Sequence, residues 1–163
     1  MIKTKKNIPA KNNQGFTLIE VVAVLLLIGI LSAVAIPRMS ETGYEVVVQR
    51  DVIMNHLRYT QIKAMSTNTP WYITFTGNSY QLYEGDAGGP TLKLLPGEEN
   101  TTATLLAGVS CSPAGSIISY DEWGKPATDT VASVLLSGDR TLTLTKGSNS
   151  STITIVNDTG LLQ

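Results

Sequence analysis

Residues 16–36 read FTLIEVVAVLLLIGILSAVAI, an almost unbroken apolar run, and this run limits the possible folds more than any other feature. Only Thr17, Glu20 and Ser32 interrupt its 21 residues. At about 1.5 Å per residue, a helix of that length matches a hydrocarbon core of roughly 30 Å. No later segment is comparable, so one membrane crossing at most is expected. Lys3, Lys5, Lys6 and Lys11 precede the run, and no acid does. Basic residues on one flank hold that flank in the cytoplasm, so the C-terminal bulk is expected to be exported.

Glu20 is the anomaly. A carboxylate in an apolar setting is strongly disfavoured unless a cation meets it. A secretory signal peptide would account for the lysines and for Ala33-Val34-Ala35, which has the form of a cleavage site. Its apolar region would be only about 7–15 residues long, however, and would not begin with an acid. A plain membrane anchor explains the length but not Glu20, because intramembrane acids are rare and usually functional.

A third reading covers both features. Gly15-Phe16-Thr17-Leu18-Ile19-Glu20 resembles the processing motif of type IV pilins and of the pseudopilins of type II secretion. The resemblance implies that a prepilin peptidase cuts between Gly15 and Phe16, removes residues 1–15 as a leader and methylates the Phe16 amine. It also implies that Glu20 meets the N-terminal amine of a neighbouring subunit during assembly. Gly29 and Pro37 match positions between which such helices lose helicity in filaments. On the residues alone, Gly29 is a weak point because glycine in a helix costs up to about 1 kcal/mol against alanine, and Pro37 removes a backbone hydrogen bond. A harmless kink is the competing reading for both.

Residues 38–66 have helical periodicity. Glu45, Gln49, His56, Thr60 and Lys63 form a narrow polar stripe, and Val46, Val47, Ile53, Met54, Leu57 and Met65 gather well away from it. Tyr44, Val48, Val52, Tyr59 and Ile62 add an apolar flank. The expectation is a helix laid on a sheet by its apolar sides, with His56 solvated on the polar one. Everything after Pro70 has β character. Residues 71–75 and 80–83 flank Gly77-Asn78, a hairpin signal. Residues 92–95 and 102–106 are weaker strand candidates, residues 117–120 precede the turn 121–126, and residues 140–146 and 151–156 alternate clearly.

This layout is also similar to the GspH/FimT subset of the pilin-like group. The similarity rests on an apolar strand from about Val131, the alternating hairpin, and Ile153-Thr154-Ile155 followed by Gly160. The expected fold is α+β: a long N-terminal helix, membrane-spanning in its first half and amphipathic in its second, packed on an antiparallel β domain of two sheets. The expected divisions are a cleaved leader over 1–15, an apolar transmembrane and assembly helix over 16–37, an amphipathic helix over 38–69 and a β domain over 70–163. Residues 38–163 would be one periplasmic unit.

Composition narrows the chemistry. From Phe16 onward, eight bases face thirteen acids, a net of −5, and Gly160-Leu161-Leu162-Gln163 carries no base. That argues against nucleic-acid binding. Cys111 is the only cysteine and is expected to be a small buried residue, while a single histidine affords neither a triad nor a histidine-rich metal site. Asp86, Asp121 and Glu122 are expected in turns, and Trp71 and Trp123 in the core. No cofactor, no metal and no enzymatic activity are expected. The resemblance implies a minor pseudopilin, a structural subunit of a periplasmic pseudopilus, partnered by other pseudopilins, the prepilin peptidase and the inner-membrane assembly platform. The alternative is a minor type IV pilin that primes a pilus or takes part in DNA uptake. A major fibre subunit is the weaker third choice, because the C-terminal disulfide loop such subunits often carry needs two cysteines.

Overall fold

The computed structural model describes residues 16–39, 43–85 and 89–163. Asp86 lies outside them. The chain divides into two units, residues 1–42 and 43–163. In the first, helix α1 runs Leu18–Met39. It continues past Pro37, where the apolar run was expected to close. The side chains from residue 34 to residue 39 lie outside the description.

The second unit opens on Gly43 at φ 60°, followed by helix α2, Tyr44–Thr67. A left-handed residue cannot sit inside a right-handed helix, so the turns of α2 start afresh here. That is why α2 begins at Tyr44 instead of near Arg38. Glycine is required twice over at this point. It tolerates the positive φ, and a Cβ would lie 2.6 Å from Cγ of Asn149. Asn68 closes the helix in the left-handed region, a common stop.

Among the described residues eleven elements follow one another, and nine are strands. These are β1 (Trp71–Phe75), β2 (Ser79–Glu84), β3 (Thr91–Lys93), β4 (Thr102–Thr104), β5 (Ser110–Ser112), β6 (Ile117–Tyr120), β7 (Pro126–Ala127), β8 (Arg140–Lys146) and β9 (Asn149–Ile155). They form two antiparallel sheets, as expected. The first has the order β3-β2-β1-β6-β7, with β4 also on β2, and the second has the order β5-β8-β9. The hairpin at Gly77 pairs Phe75 with Tyr80, and Gly77 has φ 94°. β3 pairs with residues 82–84 of β2 and β4 with residues 79–81, so two short strands divide one edge of β2 between them.

Helix α2 packs on β1 and β6 of the first sheet and on β8 and β9 of the second. Ile53, Leu57, Ile73, Tyr80, Leu142 and Ile153 are fully enclosed between the layers. Burying each such side chain contributes about 1.5–3 kcal/mol before entropy is counted.

Three expectations need correction. First, no strand forms near Val131. The 128–139 segment is a loop, held by the Ala127↔Leu135 bridge and by Asp129, whose carboxylate accepts hydrogen bonds from the backbone of Ser133 and Val134. Second, Trp123 is 75% exposed, because Asp121 folds the turn around itself by accepting from the Trp123 and Lys125 amides and turns the indole outward. Third, the faces of α2 differ from those read in the periodicity. Gln49, His56 and Thr60 of the polar stripe are buried, whereas Tyr44, Val47, Val48, Ile62 and Met65 are exposed.

Candidate functional site

The start of α1 is organised by Thr17. Its carbonyl accepts from the amides of Glu20 and Val21 at 3.1 and 3.2 Å. Its hydroxyl also accepts from the Glu20 amide at 3.3 Å. Thr17 is therefore an N-cap, and it satisfies a backbone donor that the helix leaves unpaired. Glu20 falls in the first turn, where the positive end of the helix dipole favours a carboxylate. Thr17-Leu18-Ile19-Glu20 has the spacing of a capping box, a signal present in the sequence and not drawn from it above. The acid thus has a local reason to stand at this end of the helix.

The side chains around Glu20 are turned outward. Phe16 is 85% exposed and Leu18 83%. Val22, Leu25, Leu26 and Ile30 are exposed as well. A Cβ added at Gly29 would meet nothing within 4 Å, so no contact inside the chain asks for glycine there. α1 is helical through both Gly29 and Pro37. Gly15 and the four lysines before it lie outside the described residues. Among the described residues no helix is long and apolar enough to cross a membrane.

Several polar side chains of α2 are used internally. His56 Nε2 lies 3.0 Å from the Pro96 carbonyl and Nδ1 lies 2.8 Å from the Tyr80 hydroxyl. A carbonyl only accepts, so Nε2 carries a proton, and in the neutral ring Nδ1 accepts from Tyr80. The expected solvated histidine is thus a buried brace. Gln49 Oε1 accepts from the Leu106 amide, and the Thr60 hydroxyl donates to the His56 carbonyl. Gln61 Nε2 donates to the carbonyls of Gly124 and Thr159. Burial pushes the Cys111 thiol up to about 11, away from the reactive thiolate. Burial also raises the Tyr80 and Tyr120 phenols. Among the described residues no group of His, Cys, Asp and Glu is placed to hold a metal ion. The Ser119 hydroxyl and the Tyr120 phenol are buried without a hydrogen-bond partner, side by side on β6.

Residues 10–36 match the family model described as "Prokaryotic N-terminal methylation motif". The match includes Gly15, Phe16, Glu20 and Gly29 and stops one residue short of Pro37, and it makes the N-terminal segment type IV pilin-like. The comparison with curated proteins returned no match, and neither did the comparison with solved structures.

Proposed function

We propose that the protein is a minor pseudopilin, a structural subunit of the periplasmic pseudopilus of a type II secretion system. The observation that carries this reading is the methylation motif over residues 10–36, lying on a helix start that holds an acid in its first turn. In this reading the prepilin peptidase cuts between Gly15 and Phe16 and methylates the new amine. Residues 16–36 then anchor the chain in the inner membrane with its N-terminus inside and its C-terminal unit in the periplasm. Within the fibre, Glu20 faces the Phe16 amine of a neighbour. A register that leaves the carboxylate unpaired among apolar side chains is penalised, so the pair selects the register. Gly29 and Pro37 let α1 give locally as helices pack. The partners are other pseudopilins and the assembly platform.

The net charge of −5 beyond the leader and the lack of any base after Lys146 favour a secretion fibre over a DNA-binding pilus. Mass spectrometry of the membrane-extracted protein tests processing. The expected N-terminus is a methylated Phe16, and Gly15→Val should keep the leader attached. An N-terminus at Ile36 would mean cleavage by signal peptidase and would overturn the reading. Deletion of the gene separates the two machines. Loss of protein secretion with piliation intact is expected, and the reverse would make the chain a minor type IV pilin.

A further inference from the structure

A tight turn lies beside the middle of α2. Leu95-Pro96-Gly97-Glu98 closes on itself, with the Glu98 amide donating to the Leu95 carbonyl at 3.2 Å and Gly97 at φ 83°. Proline second and a left-handed glycine third make a type II turn, and the proline fixes its own φ before anything binds. Buried His56 holds the turn to the helix by donating from Nε2 to the Pro96 carbonyl at 3.0 Å. Between turn and helix runs a groove of about 380 Å³, lined by Val52, Asn55, His56, Pro96, Gly97 and Glu98. It is therefore a cleft of small-ligand size with rigid walls.

The charge in this groove is unbalanced. Glu45, Asp51 and Glu84 each have a cation, Lys146, Arg50 and Lys93 respectively. Among the described residues no cation and no hydrogen-bond donor meets the Glu98 carboxylate, although Glu98 is half-buried. Burial, and after it the charge of Glu98, raises the Tyr80 phenol, so the carboxylate lies toward the His56–Tyr80 pair. That pair has no proton to give it. His56 spends its Nε2 proton on Pro96, and Tyr80 spends its hydroxyl proton on His56 Nδ1 at 2.8 Å. Asn55 Oδ1 already accepts from Arg58 at 3.3 Å. A half-buried carboxylate without a donor is costly, and a cation entering the groove removes that cost.

We propose that the groove between α2 and the 95–98 turn binds a lysine side chain of a partner protein, its ammonium on Glu98 and its methylene stem along Val52 and Pro96. A long apolar stem with a charged tip suits a cleft that is apolar on its walls and acidic at one point. Lysine fits better than arginine. Five guanidinium donors need several acceptors, and here Asn55 and Pro96 are engaged, which leaves one carboxylate for the three donors of an ammonium. The site belongs to the second unit alone and is independent of how residues 1–36 are processed.

Nitrogen-15 NMR of the full-length protein in detergent micelles tests the inference, with n-butylammonium as the probe. It should shift the amides of Asn55, Gly97 and Glu98 saturably, with a Kd on the order of 10 mM. Neutral n-butanol should bind about fivefold more weakly, and Glu98→Gln should weaken the ammonium by a similar factor. Glu98→Gln is nearly isosteric, so unchanged amide shifts away from the groove verify its fold. Glu99→Gln, the neighbouring acid outside the groove, should leave binding as it is. Equal binding of n-butanol would make the groove a plain apolar cleft and overturn the proposal. Shifts that never saturate, or equal losses with Glu98→Gln and Glu99→Gln, would show unspecific attraction to negative charge and overturn it too. Tighter binding of n-butylguanidinium would overturn the assignment to lysine.

Discussion

Helices α1 and α2 are nearly equal in length, 22 and 24 residues, and follow opposite rules. α1 is built of leucine, isoleucine and valine, yet Leu25, Leu26 and Leu27 are each more than 60% exposed. α2 is far more polar, yet it buries Ile53 and Leu57 completely along with Gln49, His56 and Thr60. Hydrophobicity alone therefore does not say which helix holds the fold together. α1 carries apolar surface that its own chain leaves uncovered, which suits a medium or a partner outside the chain. α2 carries polar groups whose partners the chain supplies. The first helix leaves its apolar side chains open, and the second closes a core of its own chain.

The sharpest way to break this contrast is to truncate a leucine in each helix. Leu57→Ala should cost about 2–5 kcal/mol of stability, the usual range for a fully enclosed leucine. Leu26→Ala, at a side chain 63% exposed, should change the same measurement by less than about 0.5 kcal/mol. Both are read by denaturant unfolding with tryptophan fluorescence, since Trp71 is 4% exposed and reports the core. Equal effects would show that α1 contributes to the stability of the second unit.

A smaller effect tests the buried polar side of α2. His56→Ala removes the partner of both the Tyr80 hydroxyl and the Pro96 carbonyl, and should cost about 1–3 kcal/mol. Tyr80 is fully buried, so its hydroxyl has no access to replacement water. An unfolding midpoint unchanged from wild type would return His56 to the solvated role suggested by its polar neighbours.

His56 also shows where sequence reasoning stops. Its bonding partners lie 24 and 40 residues away, and that of Gln49 lies 57 residues away. Nothing in a helix's own periodicity reports a carbonyl in a distant loop, so polar residues of this kind read as wet. The motif at the head of the apolar run could be read because its information is contiguous, a glycine, an aromatic residue and an acid within six residues, while the Thr17 cap between them went unread. The strands β8 and β9 were legible because Leu142, Leu144, Ile153 and Ile155 alternate with polar residues. Ser110-Cys111-Ser112 and Pro126-Ala127 are too short to show a period, so β5 and β7 emerge only from their pairing. Trp123 was placed in the core by its size alone, and the hydrogen bonds of Asp121 decide otherwise.

The smallest expected effect concerns the N-terminal end of α2. Its own backbone amide holds the Glu45 carboxyl below the ordinary glutamate range, and the hydrogen bond from Lys146 at 3.0 Å adds to this against a smaller opposing effect of burial. A carboxyl with a depressed pKa contributes stability that is fully present above its unfolded value. That contribution fades as the pH falls through the lower, folded value. Glu45→Gln should therefore lower stability slightly at pH 7, and the gap from wild type should close in strongly acidic solution. High salt at pH 7 should narrow the gap too. The check is a comparison of unfolding midpoints at the two pH values. A gap that widened toward acid would mean that the carboxylate opposes the fold.

The divided edge of β2 has a consequence for life at high concentration. An exposed strand edge is a row of unpaired amides and carbonyls, open to any neighbouring chain. Here β3 occupies one half of that edge and β4 the other, and each is only three residues long. A strand arriving from outside finds no ladder long enough to template on this side of the sheet. At high concentration this favours the folded monomer's surface over the β-aggregation that long free edges invite.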